Sequence, residues 1–314
     1  MQDAPLFDEI ARGPTGGRAF WLDTPDGIKI RLGHWPASGE RATRGTVLLF
    51  PGRTEYIEKY GPAARVFVDA GFDVISVDWR GQGLADRAHD DRLLGHVNDF
   101  EEFQTDVRAV LAAVEKLDLP KPYHLIGHSM GGCIGLRALH NNLPVNSAVF
   151  SGPMWGIGIA TWMRPVAWGL SWLNHTIGQG LKQSPGTGHD SYVLVSGFAD
   201  NQLTKDREMW DFMVEQLKAQ PDLALGGPSV SWLYSALVEC KRLQRQSCPA
   251  TPTLTFLGTD ERIVAKEPVR NIMGRWQNGQ LFEVPAAEHE IMMEVPAIRD
   301  DFFAKTIAHF DAHS

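Results

Sequence analysis

Tyr123-His124-Leu125-Ile126-Gly127-His128-Ser129-Met130-Gly131-Gly132 decides how the rest of the chain reads. An apolar run ends at Gly127, and a small-residue segment opens behind Ser129. Between them lies Gly-x-Ser-x-Gly, the pattern of a serine nucleophile on a sharp strand-to-helix turn. A serine there holds a strained backbone, and the glycines remove side chains that would clash with it. The hydroxyl is lifted to the top of the sheet, above a helix N-terminus that favours developing negative charge. An incidental serine in a glycine-rich turn would carry the same letters. A buried-type strand before the turn and a helix over residues 133–140 after it favour the nucleophile.

Outward from this turn, apolar strands alternate with helical patterns. Residues 18–24 and 28–34 form a hairpin around Pro25-Asp26-Gly27. Residues 36–44 are a polar connection. Residues 46–50 and 74–78 read as buried strands, with helices over 63–70 and 101–117. Further strands follow at 148–150, 253–257 and 281–284, and a last helix spans 298–310. This alternation predicts a mostly parallel sheet covered on both faces. The rhythm stops at Pro153 and resumes near residue 246. Residues 153–245 therefore read as a helical cap inserted into a core made of residues 1–152 and 246–314.

A serine nucleophile needs a base, and the base needs an orienting acid. On a sheet with this elbow the chain order is serine, acid, histidine, the last two on loops after later strands. Asp260 follows the strand at 253–257, and His289 follows the strand at 281–284. Ser129, Asp260 and His289 are thus the expected catalytic set; the alternative makes Asp260 a helix cap and His289 a solvated loop residue. His128 belongs to the elbow and shapes it. The oxyanion hole needs two backbone N–H groups. Met130, next to the nucleophile, supplies one; Arg53, after Pro51-Gly52, supplies the other through its backbone.

The 314 residues carry a formal charge of -8, which argues against a general nucleic-acid binder. Three cysteines make neither a disulfide framework nor a metal site. The N-terminus lacks the pattern of a signal peptide, and no stretch is long and apolar enough to span a bilayer. A cytoplasmic protein is expected, able to touch the inner face of a membrane from the side.

The chain resembles the α/β-hydrolase lipases, close to bacterial lysophospholipases and monoglyceride lipases. The resemblance runs from the first strands to the C-terminus. Beyond the elbow its carriers are Pro51-Gly52-Arg53-Thr54-Glu55, Asp78-Trp79-Arg80-Gly81-Gln82-Gly83, Gly95-His96-Val97, Phe198-Ala199-Asp200-Asn201-Gln202-Leu203-Thr204, Leu225-Gly226-Gly227-Pro228, Gly258-Thr259-Asp260 and His289-Glu290. It implies the α/β-hydrolase fold, Ser129 as nucleophile, Asp260 as acid, His289 as base, and a lid over an acyl-binding groove. Two departures stand out: Pro51-Gly52 where monoglyceride lipases commonly have His-Gly, and Leu84-Ala85 where the family often has a serine.

The insertion holds six of the ten tryptophans. Trp155, Trp162 and Trp210 are the expected substrate contacts, with Met163, Ile157 and Ile159 near the first of them. A cap over a hydrophobic tunnel, contact with a membrane interface, or a core of the cap's own would each explain the enrichment. The expected function is hydrolysis of carboxylic esters of small amphipathic lipids, lysophospholipid or monoacylglycerol, through an acyl-enzyme and without cofactor or metal. A general carboxylesterase or perhydrolase of the same fold is the alternative, and a non-catalytic binding protein is a third.

Overall fold

The computed structural model describes residues 1–37, 43–159 and 164–314. Part of the polar connection, and Trp162 and Met163, lie outside the described residues. Among the described residues nine strands form one sheet: β1 (Gln2–Ala4), β2 (Arg18–Asp23), β3 (Lys29–Trp35), β4 (Thr46–Phe50), β5 (Asp73–Asp78), β6 (Tyr123–His128), β7 (Ser147–Ser151), β8 (Thr253–Gly258) and β9 (Gly279–Val284). Their order is β1-β2-β3-β5-β4-β6-β7-β8-β9. The first three strands and the β3–β5 pair are antiparallel; every pair from β5 through β4 to β9 is parallel.

The central strands are buried on both faces, which is why they read as continuous apolar runs. The edge strand β9 is instead only partly buried, with no residue fully enclosed. β1, only three residues long, left no pattern in the sequence and exists only through its register with β2.

The helices are α1 (Asp8–Ala11), α2 (Gly61–Asp69), α3 (Glu102–Lys116), α4 (Met130–His140), α5 (Arg164–Thr176), α6 (Tyr192–Val195), α7 (Arg207–Ala219), α8 (Val230–Arg245), α9 (Lys266–Met273) and α10 (Pro296–Asp311). Two apolar cores lie on opposite faces of the sheet. One gathers Trp79, Phe103, Ile134 and Trp155; the other gathers Trp35, Phe67, Phe302 and Phe310.

Among the described residues the segment between β7 and β8 folds into helices α5 to α8, termed the cap below, which specific contacts fasten to the core. Gln216 of α7 donates to the carbonyls of Ile10 and Glu58 and accepts from the Tyr56 hydroxyl. In α8, Glu239 pairs with buried Arg137 of α4. Among the described residues no helix is long and apolar enough to cross a membrane.

Candidate active site

Ser129 sits between β6 and α4 with φ 49° and ψ −118°. A side-chain-bearing residue rarely adopts that conformation, which costs on the order of 1–3 kcal/mol. The surroundings impose it. The Ser129 N–H donates to Ser151 O at 3.0 Å, and its carbonyl accepts from Gly132 and Met154 at 2.9 and 2.8 Å. A Cβ on Gly131 would lie 2.0 Å from Phe50 O, so only glycine lets α4 seat against the end of β4. The reading of the elbow glycines as clearance for a strained serine agrees with this packing.

His289 lies on the loop after β9, and its Nδ1 is 2.6 Å from Glu261 Oε2. That loop is pinned by the cap. The N–H groups of His289 and Glu290 donate to the carbonyls of Gln202 and Leu203. Asn201 holds this segment in a tight turn through four side-chain hydrogen bonds, and Thr204 ties it to Met293. The 198–204 motif is thus a clamp on the histidine loop.

Asp260 is not the partner of His289. Its carboxylate is about half exposed and paired with Lys205 of the cap, which holds it below its ordinary pKa. The next residue, Glu261, turns inward and its side chain is fully buried. Its Oε1 accepts the N–H groups of Ile263 and Val264 at 2.6 and 3.0 Å, leaving Oε2 to the imidazole. Burial opposes the charge on Glu261, but His289 and those two N–H groups outweigh it and lower its pKa. The sequence expectation put Asp260 against His289; the carboxylate that meets the imidazole is instead that of the next residue, Glu261. The usable signal was the run Glu261-x-Ile263-Val264, because a carboxylate can cap backbone N–H groups two and three residues ahead of it.

The loop after β4 is held on every side. Trp79 Nε1 donates to Pro51 O at 3.0 Å. Gln82 brackets the turn, donating to Gly52 O and accepting from Thr54 N at 3.0 and 3.1 Å. Glu55 accepts the Gly52 N–H. Thr54 has φ 67°, a strained value for a β-branched residue. Among the described residues, neither the Arg53 nor the Met130 N–H donates to a protein acceptor. A Cβ on Gly52 would lie 3.0 Å from Ser129 Cβ, so this loop lies directly against the nucleophile.

Beneath the site is a fully buried charge cluster that the sequence did not reveal. Lys59 Nζ is 2.5 Å from Glu55 Oε1 and 2.6 Å from Glu290 Oε1. His128 Nε2 lies 3.5 and 3.3 Å from the same two carboxylates, and Tyr60 donates to Glu55. Burial opposes charge on His128, but Glu290 and Glu55 prevail and raise its pKa. Burial likewise opposes charge on Glu290, yet His128 and Lys59 hold it well below the usual carboxylate range. Glu55, His128 and Glu290 bring their ligand atoms within 4.8 Å of one another, a spacing that suits a metal. Lys59 already supplies the cation between the two carboxylates.

Ser129 and His289 open onto one cavity of about 350 Å³, walled by Tyr56, Met154, Tyr192, Met213, Leu217 and Trp232 among others. Trp155 and Trp210 are not in that wall. Trp155 is fully buried under the elbow helix, donating to Gly132 O at 3.1 Å and stacked on Trp276. Trp210 packs inside the cap with Met209, Phe212 and Met213. Among the described tryptophans it is Trp232 of α8, not the expected Trp155 or Trp210, that lines the cavity.

A mostly parallel sheet, a serine strained at its central elbow and a buried carboxylate on the histidine of the same cavity define a serine hydrolase of the α/β-hydrolase fold. Residues 41–296 match the hydrolase family described as serine aminopeptidase, S33, and the chain belongs to it. It is 28% identical over 308 residues to the probable lysophospholipase L2 of Haemophilus influenzae, covering 98% of this chain and 93% of that protein. It is 32% identical over 291 residues to the monoacylglycerol lipase of Mycolicibacterium smegmatis, covering 90% and 94%. The fold is shared with a soluble variant of monoglyceride lipase from Saccharomyces cerevisiae at a TM-score of 0.74 and 20% identity, covering 96% and 98%.

Proposed function

We propose that this protein hydrolyses the carboxylic ester of monoacyl lipids, with Ser129 as nucleophile, His289 as base and Glu261 as the acid that orients it. Ser129 attacks the acyl carbonyl while His289 takes its proton. The Glu261 carboxylate holds the imidazole in the tautomer with Nδ1 protonated and stabilises the imidazolium that forms. The tetrahedral oxyanion rests on the backbone N–H groups of Arg53 and Met130. His289 then protonates the leaving alkoxide, and water, activated by the same imidazole, releases the fatty acid.

The observation that carries the substrate class is the cavity at Ser129. Its wall is largely aliphatic and aromatic, and its volume suits one acyl chain better than two. Each buried methylene is worth about 0.8 kcal/mol, so kcat/KM should climb roughly fourfold per methylene until the cavity is filled. The names of the Haemophilus and Mycolicibacterium relatives point the same way. An aminopeptidase is the competing reading, since the family carries that description. It needs free carboxylates for a substrate ammonium. Here Glu55 and Glu290 on the cavity wall are already matched by Lys59 and His128, and Arg53 presents positive charge.

The cap also bears Trp172, Leu173 and Ile177 at 53%, 46% and 55% exposure. We read this apolar face as a peripheral contact with the lipid surface that supplies substrate.

The test is fatty-acid release from monooleoylglycerol and from lysophosphatidylglycerol by the purified protein and by Ser129→Ala. Release of oleate from either substrate, abolished in the variant, is expected. Equal turnover by the variant would contradict the assignment.

A further inference from the structure

Among the described residues, no carboxylate balances the charge of the Arg53 side chain. Its backbone belongs to the loop beside Ser129, the residue lines the cavity, and its guanidinium reaches toward Gly226 and Trp232. There Nη2 donates to Gly226 O at 2.6 Å, and Cζ stands 5.1 Å over the ring of Trp232. Nε is sealed from solvent and has no acceptor. Glu55 and Glu58, its neighbours in sequence, are committed elsewhere: Glu55 to Lys59 and Tyr60, Glu58 to Arg31. Among the described residues no carboxylate lies within ion-pair distance of Arg53. Half-buried Arg87 also lacks a carboxylate and bonds only the Gly83 carbonyl, but unlike Arg53 it does not line the cavity at Ser129; the fully buried arginines are paired. Arg31 sits on Glu58 and Asp78, Arg80 on Asp106, and Arg137 on Glu239.

The fold makes room for this arrangement. A Cβ on Gly95 would lie 2.4 Å from Arg53 Nη2, so only glycine leaves space for the guanidinium. Gly95 bridges to Pro228 in parallel and donates to Gly227 O, and this pairing holds the 225–228 turn whose Gly226 carbonyl receives Nη2. Two separate sequence motifs, 95–97 and 225–228, thus build one seat for one cation. Desolvating a guanidinium without a counter-charge is costly, and a carbonyl and an aromatic face compensate only in part. The missing component is an anion, and Arg53 lines the cavity onto which Ser129 opens.

We propose that Arg53 is the head-group site of the protein, binding the phosphate of a monoacyl glycerophospholipid while Ser129 attacks the acyl ester of the same molecule. A guanidinium offers a planar pair of N–H donors that matches two phosphate oxygens. The uncharged hydroxyls of monoacylglycerol have no counterpart for that charge. The site therefore ranks lysophospholipid above monoacylglycerol of equal chain length. This inference rests on the ester-hydrolase reading for its substrate, but the anion site itself is testable without turnover.

The experiment measures protection of Ser129 from labelling by a fluorophosphonate reagent, using octyl phosphate, 1-octanol and octyltrimethylammonium as competitors. In the wild type, octyl phosphate should protect at about ten- to hundredfold lower concentration than octanol, the range expected for a hydrogen-bonded charge contact. Octyltrimethylammonium should protect least. Arg53→Gln should bring octyl phosphate and octanol to within about threefold of each other, and Arg53→Lys should retain part of the preference. Equal protection by all three compounds in the wild type overturns the proposal whatever the variants do. So does a phosphate preference that survives Arg53→Gln. Failure of the lipid-hydrolysis reading would appear separately, as a serine that labels and is protected yet releases no fatty acid.

Discussion

At Glu261 and Asp260 two adjacent carboxylates have opposite fates. Glu261 is buried against His289 with both oxygens engaged, whereas Asp260 faces solvent and Lys205. Glu261→Gln keeps the shape but not the charge, and it lets the imidazole take the wrong tautomer. Its kcat should fall by about four orders of magnitude. Asp260→Asn should stay within about threefold of wild type, because an exposed ion pair contributes little. Stopped-flow measurement of acylation by a p-nitrophenyl ester checks both; the opposite ranking would return the acid to Asp260. The sequence made Ser129 and His289 legible because each has a fixed neighbourhood, a glycine-flanked turn and a strand end. The acid was less legible. Either carboxylate fits the loop, and the choice depends on which one the buried N–H groups of Ile263 and Val264 draw inward.

The loop after β4 is held to β5 and its following turn through Trp79 and Gln82, and to the buried cluster through Glu55. Gln82→Met removes both bonds of the bracket and leaves Gly52 O and Thr54 N without partners. A misplaced Arg53 N–H weakens the tetrahedral state more than the bound ester. Accordingly, kcat should drop about a hundredfold, with KM changed by less than about threefold. A rise in KM at constant kcat would instead make Gln82 part of substrate binding. The element pattern was legible wherever strands are buried on both faces, as in β4 to β8, because burial writes itself as unbroken apolar runs. β1 escaped notice because three residues at a sheet edge are too few to show a periodicity. The Asp78–Gly83 segment was recognisable as a motif, yet its job of bracketing another loop depends on contacts some thirty residues apart in sequence.

For the molecule as a whole, the buried cluster under the elbow couples stability to pH. Glu290 and Glu55 raise the pKa of His128 above the ordinary histidine value near 6.5. A group raised on folding contributes its full stabilisation below the unfolded value and loses it as the pH rises through the folded one. His128→Gln should therefore destabilise most at pH 5.5–6, by on the order of 3 kcal/mol, and progressively less on the alkaline side. Urea unfolding of both proteins across that range checks the sign, and a gap that widens toward high pH would refute it. Neither this cluster nor the cavity could be read from the chain. Their members come from β6, the segment after β4, the histidine loop and three cap helices, and only the folded topology brings those together. Tryptophan enrichment did not single out the ring that lines the cavity, because the helices between β7 and β8 need a core of their own. The most direct measurement of the central claim sets two substrate classes side by side on one preparation: monoacylglycerol or lysophospholipid, and an aminoacyl-naphthylamide. The account predicts Ser129-dependent release of fatty acid from the monoacyl lipids, with kcat/KM at least about a hundredfold above that for the amide. Efficient cleavage of the aminoacyl amide with no turnover of either lipid would contradict it.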